Sequence, residues 1–369
     1  MNSYTVDDIT YTIAKESDNE ALQQLLNENE MSSWVAISLE KKPDYFASHN
    51  LMGESITVIA YAHEQNVIGM YSGTYYEVFV SHKVETILYL GSLRVNTHYR
   101  HKIKFLKEGF HSIKNIFLPS TTLPYMLTSI ASENHKAIKL LEGNVKGMPQ
   151  YQFLSQLSTF AFKAKSSPLT MAQPITQEEI PLMVDFYNRH ARQYDFAPTL
   201  RREWLQSLNG NTGLSIKDFY IVKDSSGAIK AMFALWDQRK IKQTRIRGYS
   251  PRLSRPVRFL YNVYATLSGN VVLPNIAEAI EQIYISFFIS ASNDNDWNIR
   301  LLREASSLIQ QRGADVCIIA FDSKDSMCEA IQRRLKPKQY LTHIDGVFLD
   351  QDTAQKITVG ILKPEAALL

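Results

Sequence analysis

Apolar and polar positions along this chain alternate between two periods. Thr10–Ala14 is short and β-rich, and Asp18 stands where an N-cap belongs, so a helix is expected through Leu26. Pro43–His49 reads as a second short helix, with proline in the permitted first turn. Ser55–Ala62, Val67–Ser81 (interrupted at Gly73) and Glu85–Val95 are rich in β-branched and aromatic residues and predict an antiparallel meander. From Lys104 the period changes. Phe105, Leu106, Phe110, Ile113, Ile116 and Phe117 recur at helical spacing, with Lys104, Lys107, His111 and Lys114 on the other side. Tyr125–Ile130 predicts a strand, and Asn134–Leu141 a helix closed by Gly143.

After Lys163–Pro174, which holds two prolines and Ser166–Ser167, the order is partly replayed. Glu178–Arg192 predicts a helix, Phe219–Lys223 a strand, and Ser225–Gly227 a hairpin turn into the strand Ala228–Trp236. Ile283–Ser290, Val316–Phe321, Tyr340–Leu349 and Ile357–Leu362 read as strands, Asn298–Gln311 and Met327–Leu335 as helices. This order describes an α/β fold with a mixed sheet on either side of the break, hence two domains, 1–162 and 175–369. The length of 369 residues is itself too great for one compact core. The replay is one of element order, without residue-level self-similarity.

Composition removes several function classes. A formal net charge of +3 is no nucleic-acid footprint, although it suits phosphate-bearing ligands. The arginines from Arg245 to Arg258 (245, 247, 252, 255, 258), near Lys240 and Lys242, read as a solvated or interdomain face, and Tyr261 and Tyr264 as core. Cys317 and Cys328 are the only cysteines and lie in apolar surroundings, so they read as buried thiols. The histidines do not cluster, His98 and His101 alone are weak ligands, and no metal site is expected. No apolar run reaches membrane-helix length and no leader is evident, so a cytoplasmic protein is expected, of oligomeric state unknown.

Two segments hold candidate chemistry. Leu88–Phe110 reads LYLGSLRVNTHYRHKIKFLKEGF: a strand ends at Val95, and a loop with Arg100, His101 and Lys102 feeds a helix near Lys104. A helix N-terminus offers unpaired N–H groups and a positive dipole end, which suit a pyrophosphate, although an exposed basic turn has the same sequence. In Leu127–Gly143, LTSIASENHKAIKLLEG, Asn134 opens a helix after a strand, as a simple N-cap also would.

In order and separation, these two segments resemble the GNAT superfamily of acetyltransferases. The likeness covers about residues 8–160. Leu90–Phe110, Pro43–Tyr45 and Met148–Tyr151 look closest to a tandem-domain subgroup. Beyond residue 170 it is faint, resting on element order, Arg258–Asn262 and the closing strands. The resemblance implies two tandem GNAT-like acyl-CoA N-acyltransferase domains, the first binding acetyl-CoA and the second degenerate. It places the cofactor at Leu93, Arg94, Val95, Arg100, His101, Lys102, Ile103 and Lys104, with Asn134, Ala137 and Leu140 forming the Asn-x-x-Ala-x-x-Leu helix. Backbone N–H near Leu93–Val95 would face the thioester oxygen.

The chain also departs from the family pattern. Ile103 and Phe105 stand where the loop glycines belong, Leu141 where a tyrosine general acid follows, and no carboxylate lies on the fourth strand. Ser92, Glu77 and Glu85 are the remaining candidates for a catalytic group. Two readings follow: an N-acetyltransferase acting on a small-molecule or peptide amine, or a non-catalytic acyl-CoA-binding scaffold. In either case Arg100→Ala is expected to weaken coenzyme A binding by about 1.5–3 kcal/mol, the scale of a charge-assisted hydrogen bond. Equal calorimetric affinities in wild type and variant would rule this placement out.

Overall fold

The computed structural model describes residues 3–6, 8–28, 35–62, 66–99, 102–117, 125–143, 145–349 and 357–369. The first half runs β1 (Ser3–Val6), β2 (Ile9–Ile13), α1 (Asn19–Asn27), β3 (Val35–Glu40), β4 (Glu54–Ala62), β5 (Asn66–Val80), β6 (Lys83–Val95), α2 (Ile103–Phe117), β7 (Tyr125–Ala131), α3 (His135–Leu141) and β8 (Gln150–Lys163). The second adds β9 (Ala172–Pro174), α4 (Ile180–Ala191), β10 (Ala197–Pro198), α5 (Arg202–Ser207), β11 (Phe219–Lys223), β12 (Ile229–Trp236), β13 (Gln243–Tyr249) and α6 (Arg255–Ser268). It closes with β14 (Gln282–Ser290), α7 (Asn295–Gln311), β15 (Val316–Asp322), α8 (Met327–Leu335) and β16 (Lys338–Phe348).

Among the described residues, fourteen strands join one sheet in the order β1-β2-β4-β5-β6-β7-β16-β8-β15-β14-β12-β11-β9, with β10 on β5. Two pairs within it are parallel, β6–β7 and β14–β15; the others are antiparallel. The middle of the sheet is an exchange. β16, from the end of the chain, lies against β7 of the first half, while β8 lies against β15 of the second. The exchanged strands pair with each other along all eleven residues of β16, from Lys338–Ala161 to Phe348–Gln150.

Helices cover the sheet where their apolar stripes dictate. Phe105, Leu106, Phe110, Ile113 and Phe117 of α2 pack on one face against Val58, Ile68 and Leu88. On the other face, Leu22, Leu25 and Leu26 of α1 meet Ile59, Met70 and Tyr45. In the second half α7 and α8 share a core with β14 and β15, and α4 packs opposite. Gly73 does not interrupt β5. It makes room for α2, since a Cβ there would lie 2.3 Å from a ring carbon of Phe117.

Several expectations need correction. Pro43–His49 is no helix but a loop with a single 3-10 turn, Phe46–Ser48. Side chains take its amides instead: Asn19 accepts from Tyr45 N–H and Asp44 from Phe46 N–H. Ile357–Leu362 is not a strand, because Gln152, Asp195 and Asp322 side chains accept the N–H groups of Ile357, Gly360 and Leu362. Helix α7 begins at Asn295, three residues before the expected start, since Asp294 caps it. Tyr264 is exposed, because α6 turns Phe259, Leu260, Tyr264 and Leu267 outward. Arg245 and Arg247 are interdomain: both reach the buried Glu40 of β3, at 3.3 and 2.7 Å. Both cysteines are buried and free.

With its last strands exchanged, neither half has a complete sheet of its own. Three of the four tryptophans, Trp204, Trp236 and Trp297, lie in the second half. Their fluorescence and far-UV circular dichroism are therefore expected to report one coincident chaotrope midpoint; two separated midpoints would show the halves unfolding independently. A second test addresses Glu304 of α7. Its buried carboxylate accepts from the N–H groups of Thr170, Met171 and Ala172 and from the Thr170 hydroxyl, at 2.8–3.1 Å. Burial works to raise its pKa, but these hydrogen bonds outweigh it and hold the carboxyl below its ordinary value. A lowered folded-state pKa stabilises above the unfolded-state value, and that contribution is lost as pH falls through the folded one. Glu304→Gln is expected to cost about 2–3 kcal/mol at neutral pH, and the gap to wild type should narrow below about pH 4. A gap independent of pH would show that packing, not charge, holds this site.

Candidate functional site

The site starts from a defect in β6. Gly91 pairs with Ser72 and Arg94 with Met70, so Ser92 and Leu93 stand opposite the single Tyr71. This is a β-bulge, and Ser92 adopts φ +54° to make it. Neighbouring strand β7 runs parallel to β6 from Ile87–Tyr125 to Leu90–Thr128, where the pairing stops. Thr128 Oγ1 donates to Leu90 O at 2.8 Å on that last rung. Beyond it β6 continues to Val95 while β7 turns its pairing to β16, up to Ala131–Thr342. The two strands part and leave a notch that begins at the bulge. Behind it, Tyr89 and Leu127 are buried and Tyr89 Oη lies 2.6 Å from Ser129 Oγ.

After Val95 comes α2, whose first turn lies at the end of β6: Phe105 sits against Gly69, the residue paired with Val95. Asn96 O accepts from Tyr99 N–H and Tyr99 O from Lys102 N–H, two turns that set up the helix start. Lys102 is exposed, its Nζ 4.2 Å from the Tyr99 ring centroid. Arg100 and His101 lie outside the described residues. Ile103 opens α2 and Lys104 is exposed on it. Leu93 is largely exposed, Val95 is buried, and Arg94 folds back to donate to Leu93 O at 2.9 Å. Asn134 caps α3, its Oδ1 accepting from Ala137 N–H at 3.2 Å. Leu93–Val95, Lys102 and the start of α2 thus share one end of the sheet.

The catalytic candidates do not all join them. Ser92 sits in the bulge beside the fully buried Tyr45. Glu85 lies seven residues back along β6, about 23 Å at the strand rise. Glu77 pairs opposite Thr86, at a similar remove, and is held by Arg201 of the second half. Both carboxylates belong to the far end of the hairpin.

Sequence reasoning missed a basic pair facing the bulge from the junction of the halves. β3 and β13 pair antiparallel with Gln243 opposite Glu40. The next residues in each direction, Lys242 and Lys41, are therefore brought together. Lys41 Nζ stands 4.2 Å from the Tyr45 ring centroid, and Lys242 Nζ donates to Leu369 O at 2.7 Å. Burial pushes the Lys41 ammonium down to about 8, with the charge of Arg94 adding to it. Lys242 is likewise pushed down to about 8 by burial and then by Lys41. His49 Nε2 lies 3.0 Å from Thr57 Oγ1, and burial followed by the charge of Lys41 lowers its pKa to about 4. Only the antiparallel pairing of β3 with β13 makes these residues neighbours.

The second half repeats the bulge and fills it. Met232 pairs with Ile289 and Ala234 with Ser286, so Phe287 and Phe288 oppose Phe233, and Phe287 has φ +51°. β14 and β15 likewise part after Tyr284–Ile318. Here, however, the C-terminal segment enters the gap. Leu362 N–H donates to Asp322 Oδ2 of β15, and Glu365 Oε2 accepts from Phe287 N–H of the bulge, both at 2.8 Å. The helix that follows is also taken: Asp294 Oδ1 accepts from Asp296 and Trp297 N–H at 2.9 and 3.3 Å. Among the described residues, no side chain accepts from the Ser92 or Leu93 amide in the first half.

No protein-family model matches this chain, and no curated protein matches its sequence. Solved structures do. N-Myristoyltransferase of Saccharomyces cerevisiae, crystallised with bound myristoyl-CoA, superposes with a TM-score of 0.60 at 12% identity, covering 97% of this chain and 82% of its own. A GCN5-related N-acetyltransferase from Sphaerobacter thermophilus gives a TM-score of 0.55 at 11% identity, over 96% of this chain and 99% of its own. At such identities the likeness is one of fold. The chain has a GNAT-like fold, built as one mixed α/β sheet to which both halves contribute.

Proposed function

We propose that this protein is an N-acyltransferase that takes its acyl group from an acyl-CoA held in the first half and passes it to an amine entering at the junction of the halves. The observation that carries this reading is the contrast between two equivalent bulges. The one at Phe287 is closed by Glu365, and its helix by Asp294; among the described residues no side-chain carboxylate closes the one at Ser92. The first half thus offers the notch between β6 and β7, backbone donors at the bulge, and the start of α2 for a pyrophosphate. A carboxylate at each corresponding place in the second half repels the same anion.

Attack of a neutral amine on the thioester carbonyl forms the C–N bond and breaks the C–S bond; coenzyme A leaves as the thiolate, and the amine proton passes through water to that sulfur. Ser92 or Leu93 N–H faces the developing oxygen charge, and proximity supplies up to ~7–11 kcal/mol when the reacting atoms are aligned. Tyr89 and Leu127, buried behind the notch, favour a short acyl group, so we take acetyl-CoA as the donor. Lys41 and Lys242, brought side by side across the strands, favour an acceptor that carries an anionic group beside its amine.

Calorimetric titration is expected to give one coenzyme A per chain; a second equivalent would remove the assignment to the first half. Turnover of acetyl-CoA should be fastest with amines bearing a carboxylate or phosphate. Lys41→Met is expected to raise KM for these about tenfold, one charge-assisted contact, with kcat nearly unchanged. Longer acyl-CoAs reacting faster than acetyl-CoA would overturn the choice of donor. Tight coenzyme A binding with no turnover on any amine would instead leave a ligand-binding scaffold.

A further inference from the structure

Away from the notch, three ligating side chains meet across the exchange seam. His343 and Asp345 are two residues apart on β16, so they point to the same face of the sheet. They pair with Ile130 and Thr128 of β7, on the face where α3 packs. Glu142, the C-cap of α3, reaches the same place, with Oε1 3.2 Å from His343 Nδ1. Donor atoms of Glu142, His343 and Asp345 all lie within 4.8 Å of one another. Phe153 packs edge-on to the imidazole at 4.8 Å and limits its rotation.

Asp345 makes this more than an acidic cluster. It is completely buried, and among the described residues neither carboxylate oxygen has a hydrogen-bond partner. A bare carboxylate in that position is strongly unfavourable, and a second one nearby makes it more so. A proton is an incomplete remedy, because the new O–H would still lack an acceptor and the other oxygen a donor. No lysine or arginine forms an ion pair with either acid among the described residues. A cation at about 2.1 Å from each donor holds donors no more than about 4.2 Å apart, so binding requires the three side chains to draw in slightly from their present spacing.

We propose that Glu142, His343 and Asp345 bind a divalent transition-metal ion that fastens the exchanged strand β16 to helix α3. One imidazole and two carboxylates form a mixed nitrogen–oxygen set suited to Zn²⁺ or Mn²⁺ rather than to Mg²⁺ or Ca²⁺, which favour oxygen alone. The ion would join positions 201 residues apart in sequence and contributed by the two halves. Its role would be structural, and it is independent of the acyltransferase reading.

The test is calorimetric titration of the full chain, stripped with chelator, with Zn²⁺ and separately with Mn²⁺. Wild type is expected to take up one equivalent of at least one of these ions and to melt at a higher temperature with it. Asp345→Asn, which keeps the volume, and His343→Ala should each bind at least tenfold more weakly and lose the thermal shift. Circular dichroism checks that both variants are folded, and His343→Ala decides alone if the asparagine variant is not. Coenzyme A binding should be the same in all three proteins. Absence of uptake by the wild type, or uptake unchanged in His343→Ala, would overturn the proposal; the latter would point to surface histidines as the ligands.

Discussion

Everything in this molecule depends on the pairing of β8 with β16. Each strand completes the sheet of the half it does not belong to, and eleven residue pairs, interrupted by one bulge at Leu154, hold the two together. Antiparallel pairing fixes register, and a slip of one residue would turn every side chain to the wrong face. The exchange therefore sets the relation between the halves as firmly as any single strand pair in a one-domain sheet. The smaller contacts between halves, β3 with β13 and Arg201 with Glu77, build on that fixed arrangement.

The rigid frame explains how one fold can hold two fates for the same local geometry. Both halves carry a bulge on the strand that precedes the long helix, with a left-handed residue at its centre. A bulge leaves backbone donors aimed away from the ladder. In the second half the donor is satisfied from within, by the carboxylate of Glu365, four residues before the last described position. The gap between its central strands is thus part of the core rather than an opening. The first half keeps the same geometry, and no described side chain closes it.

Much of this was legible in the sequence. Periodicity located most strands and helices, and the apolar stripe of α2 showed which side would face the sheet. It failed where side chains replace backbone partners. The tail after Ile357 is apolar enough to read as a strand, yet Gln152, Asp195 and Asp322 satisfy its amides and keep it off the ladder. Pro43–His49 failed for the same reason, through Asn19 and Asp44. At the site, Leu93–Lys104 form one continuous stretch and were readable as a unit. Lys41 with Lys242, and Glu142 with His343, become neighbours only through strand pairing across some two hundred residues. A single sequence offers no local sign of such partnerships. His343 and Asp345 at alternate positions were the one visible hint, and strand periodicity would have put them on a common face.

The exchange also has a consequence for how the protein comes to be made. A ribosome releases β7 and β8 long before β16 exists, and until residue 348 emerges both strands present open edges. Exposed edges are templates for pairing with other chains. Contacts that span so much sequence form late and slowly, because the connecting chain must first be brought back on itself. The nascent first half therefore passes through a long interval as an unfinished sheet. During that time its solubility rests on α2 and on whatever holds the new chain apart from its copies.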